Sequence, residues 1–219
     1  MVEASGAYGG DVSAVVLAAG AARRFGGGKL LAEVGGRPLI HHALLNLADA
    51  PVGETIVVVG AGAEGIREAC KAFEVRVVEN PEWAAGQSTS VRAGILACGP
   101  EARAVVVLLG DQPFVGKEAI KKLIAAFEGG ARVAVATYGG RRRNPVLFAR
   151  EAWPLLVEEL SGDEGARSVL RRHPGIVVEV PCDGVAEPTD VDTREDLENL
   201  GGMHQEGHQY KIKRKEEMP

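Results

Sequence analysis

The chain has 219 residues, 46% of them hydrophobic, which suffices for one sizeable core and leaves little room for a second independent domain. A formal net charge of -5 gives no general attraction for a polyanion, so duplex nucleic acid is disfavoured and a phosphate-rich ligand must meet cations gathered in one pocket. Three cysteines (Cys70, Cys98, Cys182) without CxxC or Cys/His spacing, no apolar run of bilayer length and an N-terminus unlike a signal peptide point to buried thiols in the cytoplasm, away from disulfides, zinc and membranes.

In chain order, apolar patterning predicts strands over Val12–Ala19, Thr55–Val59, Val75–Glu79, Ala104–Leu109 and Arg132–Thr137. They alternate with helices over Pro38–Ala48, Ala63–Phe73, Val91–Cys98 and Lys117–Phe127. Two more helices follow, Glu151–Leu160 and Asp163–Arg172, then a strand Ile176–Val180 and a last helix from Thr193, which Thr193 can cap with Asp196 answering. Unbroken apolar runs such as AVVLAA and AVVVLLG suit strands buried on both faces. The expected architecture is therefore α/β, a three-layer α/β/α sandwich with a mainly parallel sheet and ligands at the carboxyl ends of its strands. Residues 1–11 read as a leader, 12–200 as the domain and 201–219 as a polar tail that frays.

After the first strand, VVLAAGAARRFGGGKLL sets Gly20, Gly26, Gly27 and Gly28 beside Arg23, Arg24 and Lys29. Small residues let backbone N–H groups approach a triphosphate while the cations neutralise it. The spacing matches neither GxxxxGK[ST] nor GxGxxG. The alternative is a solvated loop with ordinary surface cations.

A later buried strand ends in Gly110-Asp111-Gln112-Pro113, bringing a carboxylate to the same sheet edge, where it can hold Mg²⁺ against phosphate oxygens. Asp190 and Asp192 precede the last helix, and in an extended tripeptide both would point to one side and could complete the metal site. Against this, Asp111 could form an Asx-turn and the later pair could cap a helix. Asn80 to Ser90 offers hydroxyls and a helix N-terminus to an anion, unless Ser88 or Ser90 is only a cap. Arg141 to Arg143 could pair a phosphate or form a solvated turn, and Asp163 could cap a helix. The five histidines form no metal or nucleophile set, and His41 and His42 are expected on a surface.

Leu17-Ala18-Ala19-Gly20, Arg23, Gly26 and Lys29-Leu30-Leu31 together resemble the signature of the MobA-like NTP transferases. Further matches, GDQP, the NP-x-W-x-x-G-x-S-x-S stretch from Asn80, Asn144-Pro145-Val146-Leu147-Phe148, Gly162-Asp163-Glu164-Gly165-Ala166-Arg167 and D-x-D-T-x-E-D-L from Asp190, resemble its molybdenum cofactor cytidylyltransferase branch, in family order over roughly residues 12–200. The resemblance implies the nucleotide-diphospho-sugar transferase type of fold, with a mixed sheet. It also implies Mg²⁺-dependent transfer of CMP from CTP to molybdopterin, with pyrophosphate released. In that reading Lys29 and Arg23 hold the β- and γ-phosphates, Asp111 with Asp192 or Asp190 holds Mg²⁺, and the Leu17, Ala18, Ala19 and Gly20 backbone cradles the nucleoside. Asn80, Ser88 and Ser90 contact nucleotide or acceptor, and Arg143, Asn144, Asp163 and Arg167 receive the acceptor. A recipient molybdoenzyme or its chaperone would be a partner. Ala19 and Gln112 incline the base towards cytosine, since the guanylyl branch reads LAGG and D-M-P there. Ala22 departs from a usual serine and Arg194 from a usual proline. Other acceptors (a sugar-1-phosphate, methylerythritol phosphate, phospholactate), a glycosyltransferase using D-x-D, and a non-catalytic cofactor chaperone stay open.

Overall fold

In a computed structural model of the protein, which describes residues 10–203, a seven-stranded sheet runs in the order β5-β4-β1-β6-β8-β7-β9. Its strands are β1 (Val12–Ala18), β4 (Glu54–Val59), β5 (Arg76–Glu79), β6 (Ala104–Leu109), β7 (Val133–Tyr138), β8 (Arg141–Ala149) and β9 (Val177–Pro181). A separate two-stranded ribbon joins β2 (Glu33–Val34) to β3 (Arg37–Pro38). Parallel pairing links β1 to β4 and β6, β4 to β5, and β7 to β9, whereas β8 is antiparallel to both β6 and β7. Six of the seven strands thus share one direction and β8 opposes them, so the mainly parallel, mixed sheet expected from the sequence is present.

Alternation along each strand sends successive side chains to opposite faces, and each face carries its own helices. Val12, Ala14, Val16, Val57, Val106 and Leu108 meet α1 (Leu39–Ala48), α2 (Ala63–Cys70) and α4 (Lys117–Glu128) through Ile40, Leu44, Ile66, Ile120 and Leu123. Val15, Ile56, Val58, Val105, Val107 and Phe148 meet α3 (Gln87–Ala97), α5 (Trp153–Glu159) and α6 (Arg167–Arg172) through Val91, Ile95, Trp153, Leu156 and Val169. On that second face α3 lies so close to β1 that a side chain at Gly94 would run into Val15.

Several boundaries differ from the sequence reading. Arg141, Arg142 and Arg143 are exposed but form the first half of β8 instead of a turn. They pair only with β7, while Val146 to Ala149 are buried and pair with β6 as well. The overhanging half therefore tolerates charge. A register shift leaves Asn144 and Pro145 without ladder partners, which is how a proline is accommodated inside a sheet. Helix α3 begins at Gln87, four residues before the expected Val91, and α6 begins only at Arg167. Gly165, with φ 55°, separates α6 from a short 3-10 turn over Gly162–Glu164. The last helix, α7, runs Arg194–Met203, three residues past the expected domain end. The rest of the expected tail and the leader up to residue 9 lie outside the described residues.

His42, expected at a surface, is buried and its Nε2 lies 3.0 Å from the Val34 carbonyl, while His41 sits half-buried with its ring edge against Phe73. Cys70 and Cys182 are buried as anticipated, but Cys98 is only partly so. Among the described residues no helix is long and apolar enough to cross a membrane.

Candidate active site

The loop after β1 is tightly wound. Gly26, Gly27 and Gly28 all take positive φ, as does Ala22 at 50°, and the N–H groups of Phe25 and Gly27 both reach the Ala22 carbonyl. A left-handed alanine is uncommon away from functional turns. Phe25 drops into a small cluster with Val34, Leu39 and Val191, which pins the loop, the β2–β3 ribbon and the segment before α7 to one another. A freely solvated loop is not what these residues form.

Inside that frame the Lys29 ammonium lies 2.5 Å from Asp111 Oδ2 and 3.4 Å from Asp192 Oδ1. Arg24 reaches the other oxygen of Asp192 at 2.9 Å. Lys29 is 11% exposed and Asp111 21%, so this pair is largely shielded from water, whereas Arg24 is 78% exposed. Asp111 follows β6, and its backbone carbonyl accepts from the N–H of Val191 at 3.2 Å. Val191 is fully buried between its two acidic neighbours. Anchoring the middle of the tripeptide turns Asp192 to Lys29 and Asp190 to Gln112, whose Nε2 donates to Asp190 Oδ1 at 2.7 Å. Desolvation raises the Asp190 pKa above its ordinary value, opposed by the Gln112 bond and reinforced by the charges of Asp111 and Asp192. Neither Asp190 nor Asp192 caps α7. That role falls to the expected pair: the N–H groups of Asp192 and Thr193 donate to Asp196 Oδ2, and Thr193 Oγ1 accepts from the Asp196 N–H.

Lys29 and Asp111 border an open cleft of ≈ 590 Å³, within the range that holds a nucleotide-sized ligand. Of the residues singled out in the sequence, Leu17, Ala18, Ala19, Gly20, Arg23, Lys29, Ser90, Asp111 and Asp163 line it. Asn80 and Ser88 do not: both are buried behind the wall. Because α3 starts at Gln87 with Gly86 at its N-cap, Ser88 turns inward and neither serine is a cap. Asn80 braces the turn instead, accepting from the Glu82 N–H and donating to Thr89 Oγ1 and Ser90 Oγ at 2.8 and 3.0 Å.

A second, narrower recess of ≈ 40 Å³ holds Arg143, Asn144 and Arg167 over an apolar floor of Val91, Val107, Val146 and Phe148. It shares Leu17, Gln87 and Leu109 with the cleft, so the two adjoin. Near where they adjoin, two glycines sit hard against their neighbours. Gly86, at φ 118°, lies where a Cβ would come within 2.6 Å of the Gly162 carbonyl, and a Cβ at Gly165 would lie 2.5 Å from Gln87 Oε1. Arg92 on α3 fastens the same junction by donating to the Leu160 carbonyl at 2.8 Å. Asp163 sits within the 3-10 turn at this junction and does not cap α6. The sequence placed Arg24 among the cations of the loop but gave no role to Gln87 and Trp83, although both flank Gly86 in the stretch already noticed.

Among the described residues no cluster of three or more His, Cys, Asp or Glu offers a ready-made metal cage. Asp111 and Asp192 nevertheless converge on one cation, the Lys29 ammonium. Two hard carboxylates beside a phosphate-sized cleft fit Mg²⁺, which binds through one or two carboxylates and completes its shell with water and substrate phosphate. Loop cations, together with a divalent ion held by the cleft-edge carboxylates, can bind, align and neutralise a polyphosphate.

The profile of the MobA-like NTP transferase domain matches residues 14–177. The nicotine blue oxidoreductase of Paenarthrobacter nicotinovorans is 31% identical over 197 residues, covering 86% of this chain and 96% of that protein. Bifunctional GlmU proteins also match, but over only 25–38% of their length. A nucleotidyl transferase from Methanothermobacter thermautotroptrophicus superposes with a TM-score of 0.75 at 25% identity, over 90% of this chain and 99% of that one. Rv0371c from Mycobacterium tuberculosis, in complex with manganese, superposes with a TM-score of 0.74 at 27% identity, over 88% and 98%. The chain belongs to the MobA-like NTP transferase family and is an enzyme of the nucleotidyltransferase class.

Proposed function

We propose that this enzyme transfers CMP from CTP to molybdopterin in a Mg²⁺-dependent reaction that releases pyrophosphate. The observation that carries the transfer step is the Lys29 ammonium shared by Asp111 and Asp192 at the edge of the cleft. Lys29 and Arg23, with Arg24 beside them, would leave their present positions for the β- and γ-phosphates and neutralise the charge that builds on the leaving pyrophosphate. Asp111 and Asp192 would hold Mg²⁺, with Asp190 behind them. When bound, Mg²⁺ supplies charge neutralisation on the triphosphate oxygens. The backbone from Leu17 to Gly20 would cradle the nucleoside. The acceptor phosphate is already an anion at neutral pH, so in-line placement replaces general-base catalysis. Arg143, Asn144 and Arg167 would hold that phosphate, with Asp163 at the junction. The manganese complex of Rv0371c supports divalent-metal use.

Cytosine as the base rests on Ala19 and Gln112, and molybdopterin on the segments 141–148 and 161–167. A cytoplasmic recipient molybdoenzyme or its chaperone would take the product. The test incubates the protein with Mg²⁺, molybdopterin and each NTP separately, and measures pyrophosphate and dinucleotide. Faster turnover of GTP than CTP would replace the base. Product only with a sugar-1-phosphate, methylerythritol phosphate or phospholactate would replace the acceptor, and no product with any NTP would favour a cofactor chaperone. The relative named as a nicotine blue oxidoreductase supports a second reading, in which the chain catalyses a redox reaction and no pyrophosphate appears. Incubation with nicotine blue as oxidant and a reduced nicotinamide as electron donor, followed by absorbance of both, separates the two.

A further inference from the structure

We infer that Trp83 is the platform on which the nucleobase of the bound nucleotide stacks, an inference that rests on the nucleotidyl-transfer reading of the cleft. The lining of the cleft has two unlike parts. One carries the cations of the glycine-rich loop and Asp111, and this is where a triphosphate would be neutralised. Another stretch of the lining, Ala61, Gly62, Trp83 and Ala84, bears no charged side chain. A nucleotide has the same polarity, an anionic tail and a planar uncharged ring, so the ring belongs against this wall. Trp83 is the one aromatic side chain among the described residues that line the cleft.

The indole is also built in. A Cβ at Gly60, just past β4, would lie 2.6 Å from both Cβ and Cγ of Trp83 and 2.9 Å from Cδ1, so the side chain rests directly on the main chain and has no room to retreat. Its backbone starts the 3-10 turn Trp83–Ala85, and the Trp83 N–H donates to the Asn80 carbonyl while the Asn80 side chain braces the turn from behind. The second tryptophan makes the contrast. Trp153 is 9% exposed within the core, and its indole N–H donates to the Phe148 carbonyl at 3.1 Å. Trp83 is half-buried, and among the described residues no hydrogen bond holds its indole N–H. Stacking on an aromatic face is open to every base, so Trp83 supplies affinity for the ring and leaves the choice of base to other groups.

Calorimetric titration with Mg²⁺ present, using CTP and inorganic tripolyphosphate as separate ligands, tests this. Trp83→Ala is expected to weaken CTP about ten-fold or more, the range found for base–aromatic stacking, and to leave tripolyphosphate binding unchanged. Trp83→Phe is expected to restore most of the loss, and CTP but not tripolyphosphate should quench the tryptophan fluorescence of the unaltered protein. Equal weakening of both ligands would make Trp83 a structural part of the wall and overturn the inference. So would unchanged CTP affinity, or an effect confined to the KM of the acceptor. If the unaltered protein binds neither ligand, the nucleotidyl-transfer reading itself falls, and the platform with it. Intact CTP binding in Trp83→Ala removes the platform alone.

Discussion

The cleft beside the glycine-rich loop encloses ≈ 590 Å³ and the recess under β8 only ≈ 40 Å³, although they share Leu17, Gln87 and Leu109. The large one is lined by Arg23, Lys29 and Asp111, and Lys29 is tied in turn to Asp192, which Arg24 also reaches. The small one has an apolar floor with Arg142, Arg143 and Arg167 in its lining, and it adjoins a junction where Gly86 meets the Gly162 carbonyl and Gly165 meets Gln87 Oε1. Ion pairs can be exchanged for a ligand's charges with little movement, whereas a close-packed junction admits or rejects a shape. The first region is therefore suited to binding and neutralising, the second to selecting.

The sharpest break in this comparison comes from removing its charges. Lys29→Ala and Asp111→Ala are each expected to lower pyrophosphate release by roughly 10³-fold, as loss of a group that stabilises developing charge does, with far-UV circular dichroism unchanged. Retained release in both folded variants would sink the assignment. Gly86→Val addresses the junction. Its φ of 118° and the Gly162 carbonyl at 2.6 Å predict a loss of about 2 kcal/mol in urea denaturation, with acceptor use falling further than CTP affinity. Equal losses would mean that the two recesses are one site. In the lining of the small recess, Arg167→Ala is expected to raise the acceptor KM about ten-fold and leave the CTP KM alone, consistent with one charge-assisted bond. A change in the CTP KM instead would move Arg167 to the nucleotide.

The smallest effect is expected far from either recess, at Glu54. Its Oε1 accepts from Ser13 Oγ and the Gly99 N–H, both at 2.7 Å, and its Oε2 from Arg76 at 2.8 Å. Burial pushes this carboxyl up, but the Gly99, Ser13 and Arg76 interactions outweigh it and hold the pKa below the ordinary 4.5. A depressed carboxylate contributes stability that is present above its unfolded pKa and lost as pH falls through the folded one. Glu54→Gln should accordingly cost about 1 kcal/mol at neutral pH, and less below pH 4.5, in denaturant titrations, with both KM values unaltered. A larger gap in acid than at neutral pH would contradict this linkage.

How much of this was legible in sequence followed from range. The strands from Val12 to Leu109 and helices such as Lys117–Glu128 were readable because their apolar residues keep a period that is local. The Thr193–Asp196 cap was readable for the same reason, its partners being three residues apart. Strand β8 was not, because Arg141 to Arg143 look like solvent-facing residues until β7 is known to lie beside them and β6 to stop short. The early start of α3 was hidden by Gly86, whose conformation answers to Gly162 seventy-six residues away in sequence. Glycine spacing and the acidic residues suggested the site, but the choice between Asp190 and Asp192 depends on the buried Val191 and on Gln112, and the partnership of Arg24 with Asp192 has no local trace.

The Lys29 contact with Asp111 spans 82 residues and that with Asp192 spans 163. During synthesis the ribosome delivers the loop first, the β6 carboxylate much later, and Asp192 close to the end of the folded domain. A nascent chain can lay down β1, β4, β5 and β6 in turn, since each parallel partner arrives soon after the last. It cannot complete the acidic edge until Val191 emerges and finds its place under Phe25. In the proposed reaction, which uses Asp192 as a metal ligand, catalytic competence is thus tied to the arrival of nearly the whole domain, and a polypeptide released prematurely is expected to be silent even where its sheet had formed.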